Sequence, residues 1–175
     1  MPSLQLTKGD APDGLHAIWR AAANDASLAR GPIAARELVY AFSLVAEPSD
    51  GALMARALAL APGDHLLRLD RVDFPPGGVA YLHTHPGPGL RVLLHGRLRV
   101  DTQGTSHEYG PLEWWYESGP DPVFAAASET DDTAFVRVLV LPAEWEGKRT
   151  IAYVDPADEE KPKLQRARIY LEERL

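Results

Sequence analysis

The stretch Phe74–Val100 reads FPPGGVAYLHTHPGPGLRVLLHGRLRV and places two histidines, His83 and His85, one residue apart. On an extended strand, side chains two positions apart point to the same face at a spacing of about 6.5–7 Å. The two imidazoles can therefore offer nitrogen atoms to a single ion. The residues after the pair, PGPGLRVLLHG, include Arg91 but no carboxylate. The stretch thus predicts two metal ligands and leaves the source of a third open.

Short apolar segments separated by turn residues extend outward from this stretch. In HLLRLDRVDF, Leu67 and Leu69 face one way, while Arg68 and Asp70 face the other. Later segments such as EWWYE, PVFAAAS and AFVRVLVLP are equally short and are bounded by Gly, Pro, Ser or Asp. Many short strands without intervening helices are typical of an antiparallel sandwich or barrel.

The quoted stretch resembles the first motif of the cupin superfamily, which has a glycine turn, a spacer, a His-x-His pair, a glutamate and a closing glycine. Gly77 and Gly78 match the turn, and His83 and His85 match the pair. Gly96 matches the closing glycine. The turn, the histidine pair and the closing glycine all match the first cupin motif, which makes this half of the resemblance fairly specific.

The resemblance is incomplete at two ligand positions. The glutamate of the first cupin motif falls on Gly89. The segment YGPLEWWYESGPDPV lies where the second motif is expected, with Glu113 at the acidic position, but its closing histidine falls on Val123. Because cupin metal sites usually have three histidines and one glutamate, position matching assigns only His83 and His85 as metal ligands.

Resemblance to cupins implies an all-β fold, a cupin-like double-stranded β-helix (jelly-roll) barrel with its site inside. It also implies a homodimer, since many cupins pair through sheet edges. The fold does not specify a reaction, because one fold supports many chemistries.

The whole chain, residues 1–175, is expected to form one cupin-like domain. The barrel core is assigned to Arg36–Leu141, with a C-terminal extension over Pro142–Leu175. Apolar residues in LHAIWRAAANDASL predict a short N-terminal helix within Pro12–Arg30, capped by Asp13. In the extension, LQRARIYLEERL fits a helix or a strand, and its alternation favours an edge strand.

Composition narrows the possible partners. The chain has no cysteine, so any metal must be bound by histidine and oxygen donors. The net charge of -7 argues against nucleic acid. No apolar run is long enough for a membrane span and no secretory signal is visible, so a cytoplasmic protein is expected. The excess of arginine over lysine and the many alanines suggest a bacterial source.

Three residues near the histidines are candidates for contact with a small-molecule ligand. Arg91 follows Gly89 by two positions and should share its inward side, where a guanidinium can clamp a carboxylate or phosphate. The alternative is that Arg91 pairs with a carboxylate of the barrel. Trp115, from the WWY cluster, and Tyr81 are candidate pocket walls, with core packing as the alternative for the tryptophan.

Candidates for a third metal ligand are Glu113, Glu117, Asp121 and His95, and none is favoured by its spacing. Without one, the two histidines can instead be polar barrel residues satisfied by neighbours and water. Two classes of function therefore remain. One is a metal-dependent dioxygenase, isomerase or lyase using divalent iron, zinc, nickel or manganese; the other is a metal-free binding or sensing protein. The catalytic residues and the substrate are not specified by the sequence.

Overall fold

The computed structural model describes residues 1–35 and 39–175, and most of this part of the chain is β-strand. Two short 3₁₀ helices, Ala143–Trp145 and Pro156–Glu160, are the only helices in these ranges, and neither could cross a membrane. The strands are β1 (Ser3–Lys8), β2 (Leu15–Arg20), β3 (Asp25–Arg30), β4 (Val39–Val45), β5 (Met54–Ala57), β6 (His65–Phe74), β7 (Val79–Thr84), β8 (Gly89–His95), β9 (Leu98–Thr102), β10 (Thr105–Tyr109), β11 (Trp114–Glu117), β12 (Val123–Ala127), β13 (Thr133–Pro142), β14 (Ala152–Tyr153) and β15 (Arg166–Arg174).

The strands form three five-stranded antiparallel sheets. The N-terminal sheet has the order β3-β2-β4-β1-β5, the middle sheet β11-β8-β13-β6-β15 and the outer sheet β10-β9-β12-β7-β14. One apolar cluster joins the N-terminal and middle sheets, and a second joins the middle and outer sheets. The middle and outer sheets together enclose the interior of a barrel, and the N-terminal sheet covers the barrel from outside.

Strand β13 at the centre of the middle sheet shows how alternation sorts its side chains. Val136, Val138 and Val140 belong to the cluster shared with the N-terminal sheet. Phe135 and Arg137 point the other way, into the barrel. Because the strand is buried on both faces, its sequence is an almost continuous apolar run.

The N-terminal helix predicted within Pro12–Arg30 is wrong, because this segment forms the hairpin of β2 and β3. The apolar spacing that suggested a helix also fits a strand buried on both faces. Ala17 and Trp19 pack toward the middle sheet, whereas Ile18 lies on the opposite face and is also buried. Asn24 makes the turn with a φ of 50°, in the left-handed region that asparagine tolerates.

The barrel does not follow the expected core of Arg36–Leu141. Strands β4 and β5 lie within that range but belong to the N-terminal sheet, and the barrel strands begin at His65. Two barrel strands, β14 and β15, come from the C-terminal extension. The starting residue Arg36 lies outside the described residues.

The C-terminal strand completes the middle sheet, which confirms the edge strand predicted in LQRARIYLEERL. Leu171 of β15 pairs with Leu69 of β6. Tyr170 meets Trp19 edge-to-face with ring centroids 5.0 Å apart. Strand β15 therefore covers the open edge of β6 and contacts the N-terminal sheet.

Candidate ligand and metal site

The barrel interior contains a cavity of about 50 Å³ between the middle and outer sheets. Its apolar wall includes Phe74, Leu98, Val100, Trp115, Val123 and Phe135. Its polar wall consists of His83, His85, Arg91, Glu117 and Arg137. Since one water needs about 10–15 Å³, the cavity holds only a few small atoms in this conformation.

A larger cleft of about 350 Å³ adjoins this cavity. Arg137, Ile151, Gln165 and Ala167 line both spaces, so the cleft and the cavity share a wall. Most charged side chains around the cleft are basic, namely Arg68, Arg137, Lys148, Arg149 and Lys163, with Asp70 opposing them. Four of these five cations are paired with carboxylates, Arg68 with Glu172, Arg137 with Asp70, and Arg149 and Lys163 with Glu159, so the cleft offers little unpaired positive charge.

The two histidines enter the barrel from the end of β7 and face each other. Their Nε2 atoms are 3.2 Å apart, and both residues are buried. Ala80 and His83 both line the cavity although they are three positions apart. A register shift in the pairing of β7 with β12 accounts for this, since an extra residue in a strand redirects the side chains that follow.

The second nitrogen of each ring, Nδ1, is hydrogen-bonded to a backbone carbonyl. His83 Nδ1 donates to the Tyr81 carbonyl at 2.6 Å, and His85 Nδ1 donates to the Thr150 carbonyl at 2.8 Å. A carbonyl only accepts hydrogen bonds, so each neutral ring carries its proton on Nδ1 and a lone pair on Nε2. Two lone pairs therefore converge on one point, with the type of backbone support that orients metal-binding histidines.

Burial keeps both imidazoles neutral. It lowers the pKa of His83 below the ordinary value of 6.5, although the bond to Tyr81 opposes this. For His85, burial and then the positive charges of Arg137 and Arg91 hold the pKa well below 6.5. Both rings are in the unprotonated form that metal binding requires at neutral pH.

Arg91 lies inside the barrel opposite a carboxylate, in agreement with the alternative considered for it above. Its Nη1 donates to the Gly89 carbonyl at 2.6 Å, and its Nη2 lies 2.6 Å from Glu117 Oε2. The second contact is an ion pair without hydrogen-bond alignment, because neither of its two atoms makes an aligned hydrogen bond. Burial lowers the pKa of Arg91 to about 10, and Glu117 counteracts the shift, so the group stays charged at neutral pH.

Arg137 supplies a second buried guanidinium next to the histidines. Its Nε and Nη2 donate to the two oxygens of Asp70 at 2.6 and 3.2 Å. Its Nη2 also reaches Thr150 Oγ1 at 3.3 Å, and its Nη1 lies 3.4 Å from His85 Nε2. With both histidines neutral, the charges of Arg91 and Arg137 are balanced by those of Glu117 and Asp70.

The two aromatic candidates occupy different positions. Trp115 lines the cavity and donates from Nε1 to Glu117 Oε1 at 2.8 Å. The Tyr81 side chain is not part of the cavity wall; its ring lies 6.4 Å from that of Tyr153, and Lys161 Nζ lies over it at 4.7 Å. Tyr81 contributes to the site through its backbone carbonyl.

Of the four candidate third ligands, the structure brings only Glu117 to the histidines, with Oε2 3.7 Å from His85 Nε2. Glu113 is exposed and accepts a bond from the Gly110 amide. Asp121 accepts from Gln103 and Ser118, and His95 lies exposed beside Asp132. These three lie outside the cavity wall.

Sequence reasoning did not single out Asp70, Arg137 or Thr150 as site residues. An arginine in the middle of the apolar run AFVRVLVLP was a usable signal, because a charge inside a doubly buried strand needs a partner. Asp70 was placed on the face opposite Leu67 and Leu69, but nothing indicated that this face was the inner one. Thr150 acts mainly through its carbonyl, which leaves no trace in the sequence.

The residues present fit a metal ion in part. The converging lone pairs of His83 and His85 are suitable donors, and Nε2 atoms 3.2 Å apart can bind the same ion. In their present rotamers, no three His, Cys, Asp or Glu side chains of residues 1–35 and 39–175 are grouped to hold one. The histidine pair therefore forms an incomplete site, with the Glu117 Oε2 atom 3.7 Å from His85 Nε2.

Comparison with solved structures found distant similarity to several proteins, some of them described as cupins. A solved RmlC-like cupin from Shewanella frigidimarina is 15% identical, with 45% of this chain and 68% of that chain covered at a TM-score of 0.41. A cupin 2 conserved barrel domain protein from Leptotrichia buccalis is 18% identical, with 79% and 73% covered at a TM-score of 0.43. The polyketide cyclase RemF from Streptomyces resistomycificus is 18% identical, with 58% and 71% covered at a TM-score of 0.42.

Neither the family models nor the curated proteins gave a match to this chain. The chain forms an antiparallel β-barrel, and its turn, histidine pair and closing glycine resemble the first cupin motif.

Proposed function

We propose that this protein binds a divalent transition metal through His83 and His85 and acts on or binds a small oxygenated, anionic organic molecule. The metal is iron, zinc, nickel or manganese. The observation that carries the proposal is the pair of Nε2 lone pairs 3.2 Å apart, each fixed by a carbonyl on the opposite nitrogen. Two buried acceptors directed at each other repel unless a cation or a proton lies between them, and burial disfavours the proton.

The remaining residues bind and orient the ligand. A metal bound here would supply Lewis-acid polarisation of an oxygenated substrate or activation of dioxygen. The Arg91 guanidinium presents charged N–H groups to an acidic group of the ligand, while the wall around Trp115 and Phe135 contacts its apolar part. A ligand of more than a few atoms requires the cavity to widen, and the adjoining cleft, which shares Ile151 and Gln165 with the cavity, is the proposed way in.

Metal analysis tests the proposal most directly. Protein purified without an immobilised-metal column should contain about one equivalent of a single transition metal. His83→Ala and His85→Ala should each lose it, whereas His95→Ala, an exposed imidazole on β8, should retain it. A wild-type protein with less than about a tenth of an equivalent, unchanged by excess iron or zinc, would contradict the proposal.

A metal-free binding or sensing protein is the second candidate, favoured by the position of Arg137. Its Nη1 lies 3.4 Å from His85 Nε2, where it can satisfy that lone pair without a metal. In that case metal-free protein should bind a small carboxylate such as acetate, and Arg91→Met should weaken binding by about 1.5–3 kcal/mol. Calorimetry on chelator-treated protein separates the two candidates, because the first requires metal for binding.

A homodimer is part of the proposal as well. The β6 edge is covered by β15, but β10 forms an edge of the outer sheet and is largely exposed. Exposed strand edges favour pairing with another chain. Light scattering at micromolar concentration should give a dimer mass, and a monomer mass would contradict it.

A further inference from the structure

Glu117 lies directly opposite Gly89 in the middle sheet. The two residues are register partners in the antiparallel pair of β11 and β8. Directly opposed residues point to the same face, with Cβ positions about 4.5–5.5 Å apart. A carboxylate at position 117 therefore enters the barrel beside the place from which a side chain at position 89 would enter.

Position 89 itself has no room for a side chain. A Cβ atom there would lie 2.4 Å from the Val138 carbonyl oxygen and 2.6 Å from Leu139 Cδ2. It would also lie 3.1 Å from Arg91 Nη1. Packing therefore excludes a side chain at position 89, and the carboxylate at this point of the barrel comes from the neighbouring strand β11.

The Glu117 carboxylate is anchored at one oxygen and unsatisfied at the other. Oε1 accepts from Trp115 Nε1 at 2.8 Å. Oε2 lies 2.6 Å from Arg91 Nη2 without hydrogen-bond alignment and 3.7 Å from His85 Nε2. The side chain is only 10% exposed, so water does not readily satisfy this oxygen.

We infer that Glu117 is the third protein ligand of the metal, and that its Oε2 moves from Arg91 to the ion when the site is loaded. The inference rests on the metal-binding function proposed above. Two histidines and one carboxylate form a donor set suited to divalent iron and related ions. The transfer also releases Arg91 Nη2, which then faces the cavity as a donor for an anionic ligand.

A simpler role for Glu117 is to neutralise Arg91 without ever binding metal. The two roles predict different effects on a metal ion bound at the site. A ligand changes the donor set of the ion, whereas a distant negative charge changes only the affinity. Cobalt(II), whose visible absorption depends on its ligands, distinguishes them without any need for activity.

The experiment measures Co²⁺ affinity by calorimetry and the Co²⁺ absorption spectrum for wild type, Glu117→Gln and Glu117→Asp. Glu117→Gln should weaken binding by more than about tenfold, since even partners of ligands are worth 10–100-fold. It should also change the spectrum. Glu117→Asp keeps the charge but shortens the side chain, and should likewise alter the spectrum. Glu113→Gln, which removes an exposed carboxylate of the same segment, should leave both readouts unchanged.

Weaker binding with an unchanged spectrum in both Glu117 variants would overturn the inference, as would wild-type affinity in Glu117→Gln. If Glu117→Gln fails to fold, the double variant Arg91→Met/Glu117→Gln removes both charges together and gives the same readouts. Wild-type affinity in that double variant would also overturn it. A folded wild type that binds no Co²⁺ would instead overturn the proposed function, and the ligand role with it.

Discussion

The two faces of the middle sheet differ sharply although they are built from alternate residues of the same strands. The face toward the N-terminal sheet is apolar, with Leu67, Leu69, Leu90 and Val138 in one cluster. The face toward the barrel interior carries buried arginines and carboxylates among its apolar residues. Both faces are buried, so burial alone does not explain why one of them carries charged residues. The proposed ligand chemistry lies on the second face.

The largest effect is expected from breaking the charge balance of the barrel face. Asp70→Ala leaves Arg137 buried without its bidentate partner and should lower the free energy of unfolding by about 3–5 kcal/mol. The double variant Asp70→Leu/Arg137→Met should recover most of that loss, because apolar residues of similar size often replace a buried pair without cost. Urea unfolding measures both. A double variant as unstable as the single one would show that this pair stabilises the fold.

On the apolar face, Leu90→Ala should cost about 2–5 kcal/mol because it leaves a cavity in a fully buried cluster. Its neighbour Arg91 points to the other face, so metal content should stay at the wild-type value. Urea unfolding together with metal analysis of the folded variant checks this. Loss of metal in a folded Leu90→Ala protein would contradict the division between the two faces.

His85→Ala should have a smaller effect on stability, about 1–3 kcal/mol, because it leaves the buried Thr150 carbonyl without its donor. It should nevertheless abolish metal binding. His95→Ala is the matched control, since that imidazole is exposed and such substitutions stay within about 0.5 kcal/mol. Thermal melts should therefore show a modest difference between the two variants, and metal titrations should show a large one.

The last prediction is a pH dependence of the stability of the metal-free protein. Burial lowers the pKa of His83 and His85 in the folded state below the unfolded value near 6.5. Below about pH 6.5 the unfolded chain therefore binds protons that the folded chain does not, and stability falls by up to about 1.4 kcal/mol per pH unit for each histidine. Above about pH 6.5 both states bind no proton at these histidines, so stability no longer depends on pH through them. Urea unfolding from pH 7.5 to 5.0 should show a shallower decline in His83→Gln/His85→Gln than in wild type, and equal slopes would contradict the assignment.

The sequence predicted the barrel because its motif combines a turn, a His pair and a closing glycine, and because its strands alternate. It misled at Leu15–Leu28, where strand β2 is buried on both faces. Such a strand has apolar residues at consecutive positions, and over a few residues this pattern also fits one face of a helix. The covering N-terminal sheet could not be foreseen, since no local pattern states which sheet a strand joins.

Within the site, the inward direction of His83, His85 and Arg91 followed from strand periodicity. The position of Glu117 opposite Gly89 required the register of β11 against β8, and the two strands are separated in the chain by β9 and β10 of the outer sheet. The Thr150 carbonyl and the partnership of Asp70 with Arg137 required contacts between segments far apart in the chain. Periodicity alone therefore specifies which way a side chain points but not what it meets.

Both neighbours of strand β6 in the middle sheet, β13 and β15, lie far towards the C-terminus and are synthesised much later. Leu69 pairs with Val138 on one side and with Leu171 on the other. During synthesis, therefore, this strand has no partner on either edge while most of the barrel is being translated. Domains dominated by such distant pairings fold slowly and expose strand edges while they do so. The yield of soluble protein should consequently depend on translation speed and on chaperones that cover β6 until the last strand leaves the ribosome.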